Sequence, residues 1–303
     1  MRVARDLPPG LSKGPFLVRD AISLGVTRGQ LRARDLERPL WGARLPPALS
    51  RDFAATLSAA SLVMSPDEVY SHHTAARILG LPLPNEWTHD EPVHVMGLST
   101  EARMRRRGIV AHRGLERRTT SDRNGVVCTD AVTTWADLAA LLDVDDVIVL
   151  GDAVVHWRGG IPQGELSAVI AARSGHRGVR TMQAALPYIR TRSDSPYETK
   201  ARLLFIRAGL PEPELNRAVQ DDAGEWLGTG DLVWKEQKVV AEFDGDYHRT
   251  KRRRWQLDVG KREAIQDHGW HYVQLTAEAI TVPYKARRTV ERLASLLGVT
   301  LKP

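Results

Sequence analysis

Asp231, Glu242 and Asp244 are the residues whose type and spacing speak most directly of chemistry. They flank a short polar turn, Lys235-Glu236-Gln237, set between two apolar runs at 231–234 and 238–244, which together read as a β-hairpin. With the turn centred between residues 236 and 237, Asp231 and Glu242 are equidistant from it and face each other across the ladder, with β-carbons about 5 Å apart. Their neighbours Leu232, Val233, Val239, Val240, Ala241 and Phe243 are apolar, so the pair is expected to be buried. Two buried, facing carboxylates repel unless a positive charge lies between them. Hard carboxylate oxygens suit Mg2+ or Mn2+. Asp244, on the same strand face as Glu242, is either a third ligand or an anchor for a bound water. A slipped register, with both acids solvated at the sheet edge, is the competing reading, because turn length alone fixes register loosely.

Other candidates cluster around this hairpin. His248 follows it and either takes a proton from water or stabilises an oxyanion, unless it is a satisfied surface histidine. Lys251, Arg252, Arg253 and Arg254 form a run of four positive charges ahead of Trp255, which suits a phosphate backbone and a stacking aromatic. A helix over roughly 255–268 carries Asp258, Lys261 and Arg262 on one face, which either looks into the site or forms a surface ion pair. Upstream, Ser195-Pro196-Tyr197-Glu198 is a capping box opening a helix that ends at Gly209, so Glu198 has a capping role beside any role in a site. A final strand at 270–275 completes a sheet, and 283–297 reads as a closing amphipathic helix.

The ordered set of Glu198, Asp231, Glu242-Phe243-Asp244-Gly245, His248, the 258–262 face and Gly269-Trp270 resembles the PD-(D/E)XK nuclease superfamily, and more closely the small domains allied to very-short-patch-repair endonucleases. The resemblance covers about residues 195–280. It implies a restriction-endonuclease-like mixed sheet flanked by helices and Mg2+-dependent phosphodiester hydrolysis. Glu198, Asp231 and Glu242 would then be the acidic site residues and His248 an auxiliary. One position departs from the pattern: the superfamily's lysine two residues after the second acid is Asp244 here, and the resemblance offers Lys261 or His248 in its place.

The N-terminal half has less chemistry. Residues 15–46 read as helix, turn, helix and short strand, with the second helix over 27–34, Thr27 as its N-cap, and Arg28, Arg32 and Arg34 as candidate major-groove contacts. The bland alternative is a helical hairpin with a solvated basic face. Two more helices follow over 52–64 and 71–82. His72 and His73 are adjacent, point about 100° apart on a helix, and read as structural or capping rather than as a metal pair. Strands are expected at 93–96, 109–112 and 126–128; between the first two, Arg103, Arg105, Arg106 and Arg107 form either a phosphate contact or a solvated loop. Helices are then expected from 131 to 142 and from 146 to 156. The first 150 or so residues resemble, diffusely, the winged-helix antitoxin or regulator domains of AbiEi type.

The expected architecture is thus α/β (α+β overall). A winged-helix-like module spans 1–50, a mixed α/β regulator-like domain 51–190, and a nuclease-like domain 191–303. Composition agrees with such a chain: 303 residues, 42% apolar and 26% charged, exclude a collagen, a disordered polymer and a disulfide scaffold. Cys128 is the single cysteine, so no thiolate-rich zinc site is available. Of 43 basic residues 35 are Arg, the better residue for bidentate phosphate contacts. No run reaches the roughly 18 apolar residues of a membrane span, and residues 1–13 hold no apolar segment of a secretory signal. These features give the expectation of a cytoplasmic protein with no membrane association. Its expected partner is DNA and its expected activity that of an endonuclease; the alternative is a DNA-binding regulator or antitoxin with a degenerate nuclease domain. A homodimer and a toxin or defence-system partner are both compatible with the sequence.

Overall fold

A computed structural model of the chain describes residues 7–47, 49, 52–156, 158–243 and 252–301, with only the backbone described over 252–259. The protein is a mixed α/β chain that divides into two compact units, Met1–Leu138 and Ala139–Pro303. The boundary thus falls well before the expected linker near 190. Among the described residues no helix is long and apolar enough to cross a membrane.

In the first unit, β1 (Phe16–Leu17), α1 (Val18–Ser23) and β2 (Ala43–Arg44) form a small antiparallel pair with one helix. The expected second helix over 27–34 is instead a turn and a single 3-10 turn, Gln30–Arg32. Its start is built as a capping pair: the Gln30 side chain accepts from the Thr27 amide, and Thr27 Oγ1 accepts from the Gln30 amide. The helix goes no further because Ala33 turns extended and Arg44 Nε takes the Leu31 carbonyl at 3.1 Å. Then come α2 (Phe53–Ser61), β3 (Val69–Tyr70), α3 (His72–Leu79), β4 (Val93–Gly97), β5 (Ile109–Arg113), β6 (Thr120–Arg123), β7 (Val126–Thr129) and α4 (Ala131–Leu138). Gly80, at φ +70, closes α3 as a left-handed cap that a side chain would strain. The five strands pair in the order β5-β4-β3-β7-β6. Leu17, Leu40 and Ala43 share one core with Ala59, Tyr70, Val95 and Cys128, while Leu11, Phe16, Ala21, Val26, Leu31 and Leu36 form a small core of their own within the first fifty residues.

The second unit opens with α5 (Val144–Val154), α6 (Gln163–Ala172) and α7 (Val179–Ala185), then α8 (Pro196–Arg207), β8 (Glu214–Gln220), β9 (Trp226–Trp234), β10 (Val239–Phe243), α9 (Arg252–Asp267), β11 (His271–Leu275), α10 (Ala277–Thr281) and α11 (Pro283–Leu297). The sheet order is β11-β10-β9-β8, with β10 and β11 parallel and the other pairs antiparallel. Its two faces are both covered. Phe205, Leu232, Val239, Ala241, Leu293 and Leu297 pack on one side, with α8 and α11. Val219, Val233, Val240, Trp270 and Ile265 of α9 pack on the other.

Helix α5 is tied to α8 by a buried ion pair. Arg202 Nη2 donates to Asp152 Oδ2 at 2.8 Å, with both side chains almost fully enclosed. Thr199 Oγ1 donates to the same oxygen at 2.8 Å, and the Arg190 amide donates to Asp152 Oδ1 at 2.7 Å. A charge pair removed from water in this way persists only when further hydrogen bonds satisfy its oxygens. This pair ties α5 to α8 across the boundary expected at 190.

Candidate functional site

The hairpin has the register set by a turn centre between residues 236 and 237. Val239 pairs with Trp234, Val240 with Val233 and Ala241 with Leu232, where the ladder ends; one step further Glu242 lies close enough for its charge to act on Asp231. Glu242 lies two residues beyond Val240, on the sheet face covered by α9. On the other edge of β9, the register with β8 sets Asn216 opposite Asp231, between the pairs Leu215↔Leu232 and Arg217↔Gly230. Asn216 has φ +46, which few non-glycine residues adopt. The kink reverses which face β8 presents: Leu215 joins one core and Val219 the other.

The acids are held by specific donors. Asp231 Oδ2 accepts from the Phe243 amide at 2.8 Å. Burial pushes the Asp231 carboxyl up to about 7, helped by the charges of Glu198 and Glu242 and opposed by the Phe243 amide. Glu242 Oε2 accepts from the Tyr272 hydroxyl at 2.8 Å, and its Oε1 pairs with the Lys261 ammonium. Burial and then the Glu242 charge raise the Tyr272 phenol. Glu198 is buried at the start of α8. Its amide donates to Ser195 Oγ at 3.2 Å, and its Oε2 accepts from the Asp194 amide at 2.9 Å and from Asn216 Nδ2 at 2.8 Å. Its carboxyl is raised mainly by burial. Glu198 is therefore both a helix cap and a charge felt by Asp231.

Lys261 approaches from α9 across β9. Its Nζ donates to the Thr229 carbonyl at 2.6 Å as well as pairing with Glu242. The path is open because residue 228 is glycine: a β-carbon there would stand 2.9 Å from Lys261 Cε. Arg262, beside it, lies over the Tyr272 ring at 5.1 Å. Of the face read at 258–262, Lys261 and Arg262 thus look toward the sheet; the Asp258 side chain lies outside the described residues, as do those of Arg252, Arg253 and Arg254 at the start of α9. Asp244, His248 and Lys251 lie outside the described residues altogether.

The structure brings together Glu198, Asp231, Glu242 and Lys261, and adds Asn216 and Tyr272. The first missing residue was hidden because 214–220 has no clean alternation; the acidic turn Asp221-Asp222-Ala223-Gly224 ahead of Trp226 was the available signal of a preceding strand. Tyr272 sits in a strand that was expected, but nothing in its spacing marks it as the partner of Glu242.

The arginines divide into two groups. Arg28, Arg32, Arg34, Arg103, Arg105 and Arg107 are exposed, and Arg106 is half-buried. Arg103 Nε is bonded to the Ala111 carbonyl at 2.6 Å, and Arg106 Nη1 to the Trp41 carbonyl at 2.6 Å with its guanidinium over the Trp41 ring. Both bonds brace the 101–108 loop, and Arg106 is also held against Trp41.

One further cluster stands in the first unit. His72, His94 and His112 each offer a ring nitrogen, and these atoms lie within 4.8 Å of one another, the only such group of histidine, cysteine or acidic side chains among the described residues. Glu198, Asp231 and Glu242 form no such group. Burial is the main cause that lowers all three imidazoles, to about 2 for His72, about 3 for His94 and about 4 for His112. Pairing His72 with His73 along the helix was the wrong comparison, since its neighbours come from the sheet.

No family model matches the chain. It is similar to two uncharacterised proteins of Mycobacterium tuberculosis, from strains CDC 1551 / Oshkosh and ATCC 25618 / H37Rv, each 27% identical over 134 residues. That match takes in 44% of this chain and 47% of each relative, so the chain spans about half the length of the curated relatives it matches.

Proposed function

We propose that the protein is a divalent-metal-dependent endonuclease that hydrolyses DNA phosphodiester bonds, with Glu198, Asp231, Glu242 and Lys261 as its working residues. The observation that carries this reading is the meeting of acids from α8, β9 and β10 with an ammonium threaded past a glycine to reach them. The donor set fits a hard cation: two neighbouring carboxylates, one of them raised to about 7 by burial and by the charges beside it, gain from added positive charge. Asp231 and Glu242 would hold Mg2+ or Mn2+, which supplies charge stabilisation to the phosphate and its departing oxygen. The Phe243 amide orients Asp231, and the Tyr272 hydroxyl orients Glu242. Lys261, fixed by the Thr229 carbonyl, supplies the positive charge that the superfamily's lysine would bring from the strand. Arg28, Arg32, Arg34, Arg105 and Arg107 serve the DNA backbone, and the run at 251–254 is assigned the same role from its sequence.

The second reading is a DNA-binding regulator whose nuclease-like unit no longer cuts. It draws on Asp244, which stands where a lysine is usual, and on the Lys261–Glu242 ion pair, which already neutralises one acid. Plasmid nicking with Mg2+ or Mn2+ separates the two. Wild type is expected to cut and EDTA to stop it, while Glu242→Ala and Asp231→Ala lose activity by on the order of 100-fold or more. An inactive wild type selects the regulator, and equal cutting by all three proteins overturns the role given to Asp231 and Glu242.

A further inference from the structure

We propose that His72, His94 and His112 form a Zn2+ site in the first unit, independent of the acidic site on the second sheet. The three rings come from separate elements that the backbone locks together. His94 and His112 lie on parallel neighbours β4 and β5, where His94 pairs with Val110 and Met96 with His112. The two-residue offset puts both rings on one face, and His94 Nδ1 stands 3.0 Å from His112 Nε2. His72 opens α3 directly above them, its ring stacked on that of His112 with centroids 3.6 Å apart. The Ser71 amide bonded to the His94 carbonyl, and the His94 amide bonded to Thr74 Oγ1 at 2.8 Å, tie the helix start to the strand.

Three features point to a ligand rather than to a chance grouping. His72 has φ +49, a conformation that costs a residue with a β-carbon on the order of 1 kcal/mol or more and that delivers its ring to the cluster. Its Nδ1 is engaged by Ser71 Oγ at 3.1 Å, which leaves Nε2 as the ligand nitrogen in the manner of histidines oriented from behind. His73 stands next to the trio, its ring centroid 5.0 Å from that of His94, and its buried Nδ1 has no hydrogen-bond partner among the described residues. Imidazole nitrogens select Zn2+ and its borderline neighbours over Mg2+. With two of the three rings buried, the metal's role is to pin α3 to β4 and β5.

The test uses the full chain stripped with a chelator and titrated with ZnCl2 in excess Mg2+. Binding of one equivalent and a rise in melting temperature are expected, and Co2+ in place of Zn2+ gives the intense visible bands of a low-coordinate nitrogen site. His94→Gln and His112→Asn are each expected to weaken Zn2+ by on the order of 100-fold, at or beyond the top of the loss typical of outer-sphere changes. Glu242→Gln retains it, which separates this site from the acidic one and its nuclease reading. The Co2+ spectrum of wild type decides the matter even if the histidine variants fail to fold. Weak octahedral bands alone, no binding at one equivalent, or a folded His112→Asn protein with wild-type affinity would overturn the proposal.

Discussion

At the scale of single residues, the site depends on how Lys261 reaches Glu242. The lysine runs through space that only a glycine at 228 leaves open. Gly228→Ala is expected to displace it and lower DNA cleavage about tenfold with little change in melting temperature, whereas Lys261→Gln removes the charge and lowers cleavage on the order of 100-fold. Equal activity of Lys261→Gln and wild type would remove Lys261 from the mechanism. Asp231 makes a separate prediction about stability. Its carboxyl is raised to about 7 in the folded protein from an ordinary value of 3.8, so the folded state binds the proton more tightly and loses stability as pH rises from about 4 to about 7. In metal-free protein, Asp231→Asn is expected to be more stable than wild type at pH 8, by on the order of 2–4 kcal/mol, with the difference gone below about pH 4. Urea titrations in EDTA at the two pH values measure it, and a wild type that gains stability between pH 4 and 7 relative to the variant contradicts it.

At the scale of elements, the hairpin of β9 and β10 was legible because apolar runs and a short polar turn fix both the strands and, through the turn centre, the residues that oppose. The capping box at Ser195 was legible for a similar reason, since it is a local contract between residues three apart. The 27–34 segment shows the limit of local signals. Thr27 and Gln30 do cap one another, but the Arg44 side chain takes the Leu31 carbonyl and the helix stops after one turn. Tertiary partners were equally invisible for His94 and His112, which sit in correctly expected strands yet gain their meaning only from the pairing of β4 with β5. Between α5 and α8, Arg202 and Asp152 make the strongest prediction. Arg202→Met leaves Asp152 buried without its cation and is expected to cost about 3–5 kcal/mol, more than any exposed ion pair. Chemical denaturation reads this directly, and a loss below about 1 kcal/mol would mean that α5 and α8 are held by their apolar contacts alone.

At the scale of the whole molecule, the net charge of +6 matters less than which arginines are free. Arg105→Ala and Arg107→Ala are each expected to weaken DNA binding and to reduce the slope of log affinity against log salt by about 1. Arg103→Ala and Arg106→Ala, whose side chains brace the loop, should lower melting temperature instead. Salt slopes unchanged by the first pair would exclude that loop from the interface. The sequence places a boundary near 190, whereas the two compact units divide after Leu138 and the buried pair spans position 190. A polar linker in sequence is no linker when the helix after it carries a fully enclosed guanidinium whose counter-charge lies before it. The sheet that carries the acids is consequently not portable by itself. A gene rearrangement that joined residues 191–303 to a new N-terminal partner would strip the buried Arg202 of Asp152 and leave it only the longer contact to Glu212 at 3.6 Å, so exchange of this module between proteins is favoured at breakpoints upstream of α5.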